Sequence, residues 1–209
     1  MKTLEQEVLK KIAKKSLFVK LVNTERNESL VEQSISKEFL DLSAVVRVVL
    51  KMDKEGMASM TLSKRDAEIL GMTEEEIYAA ALKNTLRLFP PKLMNLEGYV
   101  EMSIGAKLLF VEDEVTTYIL TNQKEVDGAF YLMSQELVGA IAEMLEDDLY
   151  ILPSSVNEVL LVRASEVKDG VDGLKAMVRD VNETIVAEKE ILSYSVYHYD
   201  KEHGITIVA

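Results

Sequence analysis

The sequence predicts an α+β fold: mainly antiparallel sheet built from hairpin-then-helix units, with helices packed on one face. Three observations predict it. A Val- and Leu-rich run at 44–52, the turn Asp53-Lys54-Glu55-Gly56 and an alternating run at 57–62 read as a β-hairpin, and hairpins join antiparallel strands. Capped amphipathic helices follow, and helices of that kind cover a sheet face. The order strand pair then helix returns at 44–84, 116–147 and 149–182, although the three stretches do not align residue by residue.

Along the chain, Thr3 with Gln6 makes a capping box, and Leu4, Val8 and Ile12 recur every four residues, which predicts a first helix to about residue 15. Residues 18–22 predict a short strand and 28–33 a weakly patterned helix. After the 44–62 hairpin, Ser63 caps a helix that Gly71 stops, and Thr73 with Glu76 opens another to about Asn84. Pro90-Pro91 ends this half. The expected organisation is an N-terminal α+β lobe, 1–91, and a C-terminal α+β lobe, 92–209, packed together because no polar, flexible linker separates them. Residues 92–104 are ambiguous around Gly98, 108–111 are apolar, 116–120 read as a strand and 129–133 as a returning strand. Ser134 caps a helix with Leu137, Ile141, Met144 and Leu145 on one stripe. Residues 149–152 and 156–162 are strands. Val171, Leu174, Met177, Val178 and Val181 mark a helix, and 194–199 with 205–208 form a last hairpin.

Composition limits the function. The net charge of −12 over 209 residues repels phosphate backbones and anionic lipid. The first 20 residues run the other way, with six lysines against Glu5 and Glu7; a lysine-bearing helix lying on an acidic body or facing water accounts for them, and an arm for an acidic partner is the alternative. The absence of cysteine removes disulfides, thiol nucleophiles and Cys-ligated metal, and fits a reducing compartment. No signal-peptide core interrupts the N-terminal lysines, and no run approaches the ~20 apolar residues that span a bilayer. The expectation is a cytoplasmic protein without nucleic-acid or membrane partners. Its partner, a protein or a small molecule, and its oligomeric state stay open.

The one place where the residues suggest a site is 149–162, where two apolar runs meet at Pro153-Ser154-Ser155. A turn by itself is one full reading of it, because Pro fixes φ and serines bond to nearby backbone; a ligand site is the other, with a nucleophilic serine third. Ser154, Ser155, Asn157 and Glu158 are the candidate ligand-binding residues at this strand end. A serine nucleophile needs a base and oxyanion donors. The chain has no Gly-x-Ser-x-Gly elbow, and its only histidines are His198 on a strand face and His203 in a turn. A small hydrolase using Ser154, Ser155, Glu158 and His198 is therefore the alternative to a binding module, and no catalytic residue is assigned. Glu112-Asp113-Glu114 and Glu146-Asp147-Asp148 lack the alternating ligands and glycine of a calcium loop, so no metal is expected. Neither phosphate-binding glycine motif is present, so no cofactor is expected. Residues 67–77 resemble a helix-turn-helix, but Glu74, Glu75 and Glu76 would face the phosphates.

Five motifs are specific: Asp41-Leu42-Ser43-Ala44-Val45-Val46; Asn84-Thr85 with Phe89-Pro90; Tyr118-Ile119-Leu120-Thr121-Asn122 with Gly128-Ala129; Leu149-Tyr150-Ile151-Leu152-Pro153-Ser154-Ser155; and Val178-Arg179-Asp180-Val181-Asn182. In this order they resemble an uncharacterised bacterial domain-of-unknown-function family, from about residue 40 to the C-terminus. The resemblance implies a bacterial intracellular protein and no chemistry. It also implies a histidine in other members where this chain has Asn157, which cannot titrate.

Overall fold

A computed structural model describes residues 7, 10–11, 13–54, 56–97, 115–153, 155–168 and 170–208. The chain divides into two compact units, Met1–Pro90 and Pro91–Ala209.

In the first unit, β1 (Leu17–Asn23) runs antiparallel to the 11-residue β3 (Leu42–Met52). The other edge of β3 is shared end to end by β2 (Ser36–Phe39) and β4 (Met57–Thr61). Ile35 joins them: its N–H donates to the Leu62 carbonyl, and its carbonyl accepts from Val46 N–H. The polar Ser36-Lys37-Glu38-Phe39 stretch gives no strand signal of its own; pairing with β3 imposes the conformation.

Three helices follow local rules. The first, α1 (Glu28–Gln33), is short. In α2 (Lys64–Leu70), Ser63 and Asp66 form the capping box, and the left-handed Gly71 (φ 61°) ends it. In α3 (Glu74–Leu88), Thr73 and Glu76 form the second box. This helix buries Ile77, Tyr78, Ala81 and Thr85 and lies on β1. It runs past Asn84 because its last turn has partners. Asn84 Nδ2 donates to the Lys14 carbonyl and Arg87 Nη2 to the Lys15 carbonyl (2.6 Å). Lys10 Nζ reaches the Gly71 carbonyl at 2.9 Å. The lysine-bearing segment, helical at 13–16, is thus tied to the α2–α3 pair. Thr3, Gln6, Leu4, Val8 and Ile12 lie outside the described residues.

The second unit is a six-stranded antiparallel sheet, order β10-β9-β7-β8-β6-β5. Its strands are β5 (Pro91–Asn95), β6 (Thr117–Asn122), β7 (Leu149–Leu152), β8 (Val159–Arg163), β9 (Val196–Asp200) and β10 (Gly204–Val208). Residue 98 and residues 108–111 lie outside the described residues. Two helices take opposite faces. Leu174 and Val178 of α5 (Val171–Thr184) pack with Leu152, Val162 and Val196. On the other face, Gly139 of α4 (Gln135–Leu145) lies against the Tyr199 hydroxyl, and Tyr199 is paired with Leu149. The α+β class stands, but in this unit the expected single helical layer is two. A strand with apolar side chains on both faces needs cover on both.

Three local expectations are corrected. Residues 128–133 form a 3-10 helix instead of a strand. Ala129, Phe130, Tyr131 and Leu132 are all buried, so the alternation that marks a half-buried strand is missing and a short apolar run cannot distinguish the two. Burial also holds the Tyr131 phenol far above its ordinary pKa. On α4 the inward residues are Val138, Ile141 and Ala142, while Met144 is 61% exposed. On α5, Leu174, Val178 and Asn182 face inward and Met177 is out. The sheet, not the widest apolar stripe, sets the rotation. Among the described residues no helix is long and apolar enough to cross a membrane.

Candidate functional site: the β7–β8 corner

The corner between β7 and β8 is a knot of backbone hydrogen bonds. Pro153 leaves β7, and its carbonyl accepts from Ser193 N–H at 3.1 Å. Ser155 bridges to Ile191, and Val156 N–H donates to the Glu190 carbonyl at 2.9 Å. The chain then turns through Asn157 and Glu158 into β8.

Asn157 holds the adjacent 122–128 loop. Its carbonyl accepts from Gly128 N–H (3.0 Å) and from the Thr121 hydroxyl (2.7 Å). Its Oδ1 accepts from Asp127 N–H (3.2 Å). Its own N–H donates to Ser155 Oγ (3.0 Å). The loop folds on Asn122, whose Oδ1 accepts from Lys124 N–H and whose Nδ2 donates to the Val126 carbonyl. Glu125 (φ 55°) and Asp127 (φ 54°) are both left-handed. That backbone conformation costs a non-glycine residue about 1 kcal/mol or more, and it is held only when the surroundings over-determine it.

The candidate residues therefore fare differently. Ser155 is 4% exposed, with its hydroxyl engaged by Asn157 N–H and by Glu158. Asn157 is a structural clamp on the loop. Ser154 lies outside the described residues. Glu158 is half-buried, and its carboxyl is raised above the ordinary value. Burial is the largest cause. The neighbouring charges of Glu190 and Glu125 push the same way, against the stabilising hydrogen bond from Ser155. Lys92 pairs with Glu125 at 3.1 Å. A raised carboxyl favours the protonated folded form. Its stabilising contribution is full below the unfolded pKa and is lost as pH rises through the folded one. Glu158→Gln is therefore expected to raise the unfolding midpoint at pH 7, with the gain vanishing as pH falls through the carboxylate range; a lower midpoint at pH 7 would contradict this.

Residues that matter here and carry no sequence signal as a site are Thr121, Asn122, Glu125, Asp127, Gly128 and Glu190. Three of the quoted motifs meet in space, however. Thr121 and Gly128 bond Asn157 beyond the Pro-Ser-Ser turn, and buried Asn182 donates from Nδ2 to the Ser193 carbonyl (2.9 Å), whose residue holds Pro153.

The histidines lie elsewhere on the sheet. His198 faces Tyr150 across β9 and β7, with ring centroids 5.1 Å apart, and its Nδ1 is 3.7 Å from Asp200 Oδ2. His203 Nδ1 lies 3.0 Å from Asp200 Oδ1. Asp200 also accepts from the N–H groups of Glu202 and His203 (2.8 and 2.7 Å), so it closes the β9–β10 turn. These bonds, the His203 N–H first, hold its carboxyl below the usual value. A depressed carboxyl stabilises above its unfolded pKa, about 3.9, and the contribution is lost as pH falls through the lower folded pKa. The Glu202 and His203 amides should lose hydrogen-exchange protection as the pH drops below about 4, and an Asp200→Asn variant should show a flat profile there; matching profiles would refute it. At the end of α4, Asp147 Oδ2 accepts from Ser165 N–H (3.2 Å), which gives one member of that acidic run a structural role. Residues 112–114 lie outside the described residues, and among those described no group of three His, Asp or Glu is arranged to hold a metal ion.

No curated protein and no solved structure matches the chain. A model of one protein family does, over residues 4–201, and both structural units fall largely within it. The chain belongs to DUF5688, a family of unknown function.

Proposed function

We propose that this protein is a binding module of the bacterial cytoplasm, without catalytic chemistry of its own, and that its corner recognises a cationic group, an amine or guanidinium carried by a protein or small-molecule partner. One observation carries the reading: Glu158 is half-buried beside Glu190 and Glu125. A carboxylate held partly out of water under the influence of like charges is relieved by a cation, as exposed Glu125 already is by Lys92 at 3.1 Å, and that relief becomes binding free energy. The left-handed Glu125 and Asp127 beside it fit a loop held in shape for recognition. The acidic charge of the chain and its lack of cysteine support the cytoplasmic setting.

A small hydrolase has one observation in its favour, the Ser155–Glu158 hydrogen bond. A nucleophile must reach its substrate, and Ser155 is 4% exposed with its oxygen already accepting from Asn157.

Thermal unfolding in millimolar spermidine tests the proposal, with Glu158→Gln compared with Glu136→Gln, an exposed control on α4. Binding raises the midpoint by mass action. The shift should persist in wild type and Glu136→Gln and vanish in Glu158→Gln. Equal shifts in all three would mean diffuse attraction to an acidic surface and would sink the reading.

A further inference from the structure

Every described strand at a sheet edge is guarded against further pairing except one. β1 is covered by α3, since Val19 N–H donates to Thr85 Oγ1 (2.9 Å). β2 carries Lys37 and Glu38, both exposed. The Ser59 carbonyl of β4 is taken by Arg47 Nη2 (3.0 Å). β5 opens on Pro91 and Lys92. Proline, inserted charge and covered backbone are the usual devices that stop edges from pairing. β10, Gly204-Ile205-Thr206-Ile207-Val208, holds no proline and no charge, and no hydrogen bond among the described residues covers its outer backbone. It is the terminal strand of its sheet, and among the described residues only β9 pairs with it. It is uncharged in a chain that is 29% charged. Ile207 on it is 42% exposed, while Ile205 is 7% exposed.

We propose that β10 pairs antiparallel with the β10 of a second copy, joining two six-stranded sheets about a two-fold axis at Thr206. Full overlap of a five-residue strand with itself requires its central residue on the axis. That register sets Ile205 against the partner's Ile207, and Thr206 against its own equivalent. Exposed Ile207 then lies beside a residue already buried in the partner, and β-branched and Thr–Thr cross-strand pairs are favourable. The interface is isologous and closes as a dimer. Charge is compatible with a second copy. The charged Asp200–His203 turns lie at opposite ends of the ladder, about 17 Å apart at ~3.4 Å per residue, beyond the ~8 Å screening length at physiological salt. Two molecules of charge −12 still repel overall, so the dimer strengthens as salt is raised.

The absence of cysteine gives a direct test. Antiparallel partners have Cα atoms about 4.5–5.5 Å apart, within disulfide range. Thr206→Cys should therefore oxidise to a covalent dimer at least ten times faster than Lys201→Cys, whose side chain is 88% exposed in the adjacent turn. Light scattering on the wild type should give twice the chain mass, and Ile207→Lys should give the chain mass with an unchanged circular dichroism spectrum. A wild type that stays monomeric up to high salt, or equal oxidation of the two thiols, overturns the proposal; a monomer would leave the edge to a foreign strand.

Discussion

Gly128→Ala is expected to destabilise the second unit by about 3 kcal/mol, the upper end of overpacking costs. A Cβ at Gly128 would sit 2.3 Å from the Asn157 carbonyl oxygen and 2.6 Å from Thr121 Oγ1. Both atoms already form the knot: the Asn157 carbonyl accepts from Gly128 N–H and from Thr121 itself. The added methyl can be housed only by moving backbone, which breaks both bonds and loosens the strained 122–128 loop. Gly139 makes the useful contrast. There the obstacle is the Tyr199 hydroxyl at 2.5 Å, the free end of a side chain that can swing away. Urea unfolding should rank Gly128→Ala well below Gly139→Ala. The reverse order, or a loss under about 1 kcal/mol at Gly128, would show that the corner is softer than its hydrogen bonds indicate.

In the first unit, Thr85→Val should cost about 2 kcal/mol, because it strands a buried donor. Thr85 Oγ1 accepts from Val19 N–H at 2.9 Å and donates to the Ala81 carbonyl at 2.8 Å, with Thr85 2% and Val19 0% exposed. Valine keeps the shape and removes the acceptor, so the Val19 amide on the edge of β1 is left without water or partner. Thr85→Ser keeps the hydroxyl and should retain most of the stability. Urea unfolding together with exchange of the Val19 amide decides it. Equal losses for Val and Ser would assign the effect to packing instead.

The chain's own patterning reaches most of the elements. Capping boxes at Ser63 and Thr73, the stop at Gly71, the cap at Ser134 and the hairpin turns at 53–56 and 200–204 are set by residues within a few positions of one another, so they can be read in order. The strand Ser36–Phe39 and the 3-10 helix Gly128–Met133 cannot. The first exists because β3 offers it a partner, and the second because its apolar residues are buried from several sides at once. The candidate corner is legible in the same partial way. Pro153, Ser155 and Asn157 stand out in sequence. The clamp formed by Asn157 on Thr121 and Gly128 joins residues 36 and 29 positions apart, a separation at which no local pattern operates.

By itself the sequence determined the α+β class, the caps, the turns and the family, because each rests on short-range backbone chemistry or on an ordered set of motifs. Tertiary structure alone decided which face each helix covers, which strands end each sheet among the described residues, and that half-buried Glu158 feels the charges of Glu190 and Glu125. Burial and electrostatic coupling depend on distances through space, and only the folded chain brings residues remote in sequence within reach of one another.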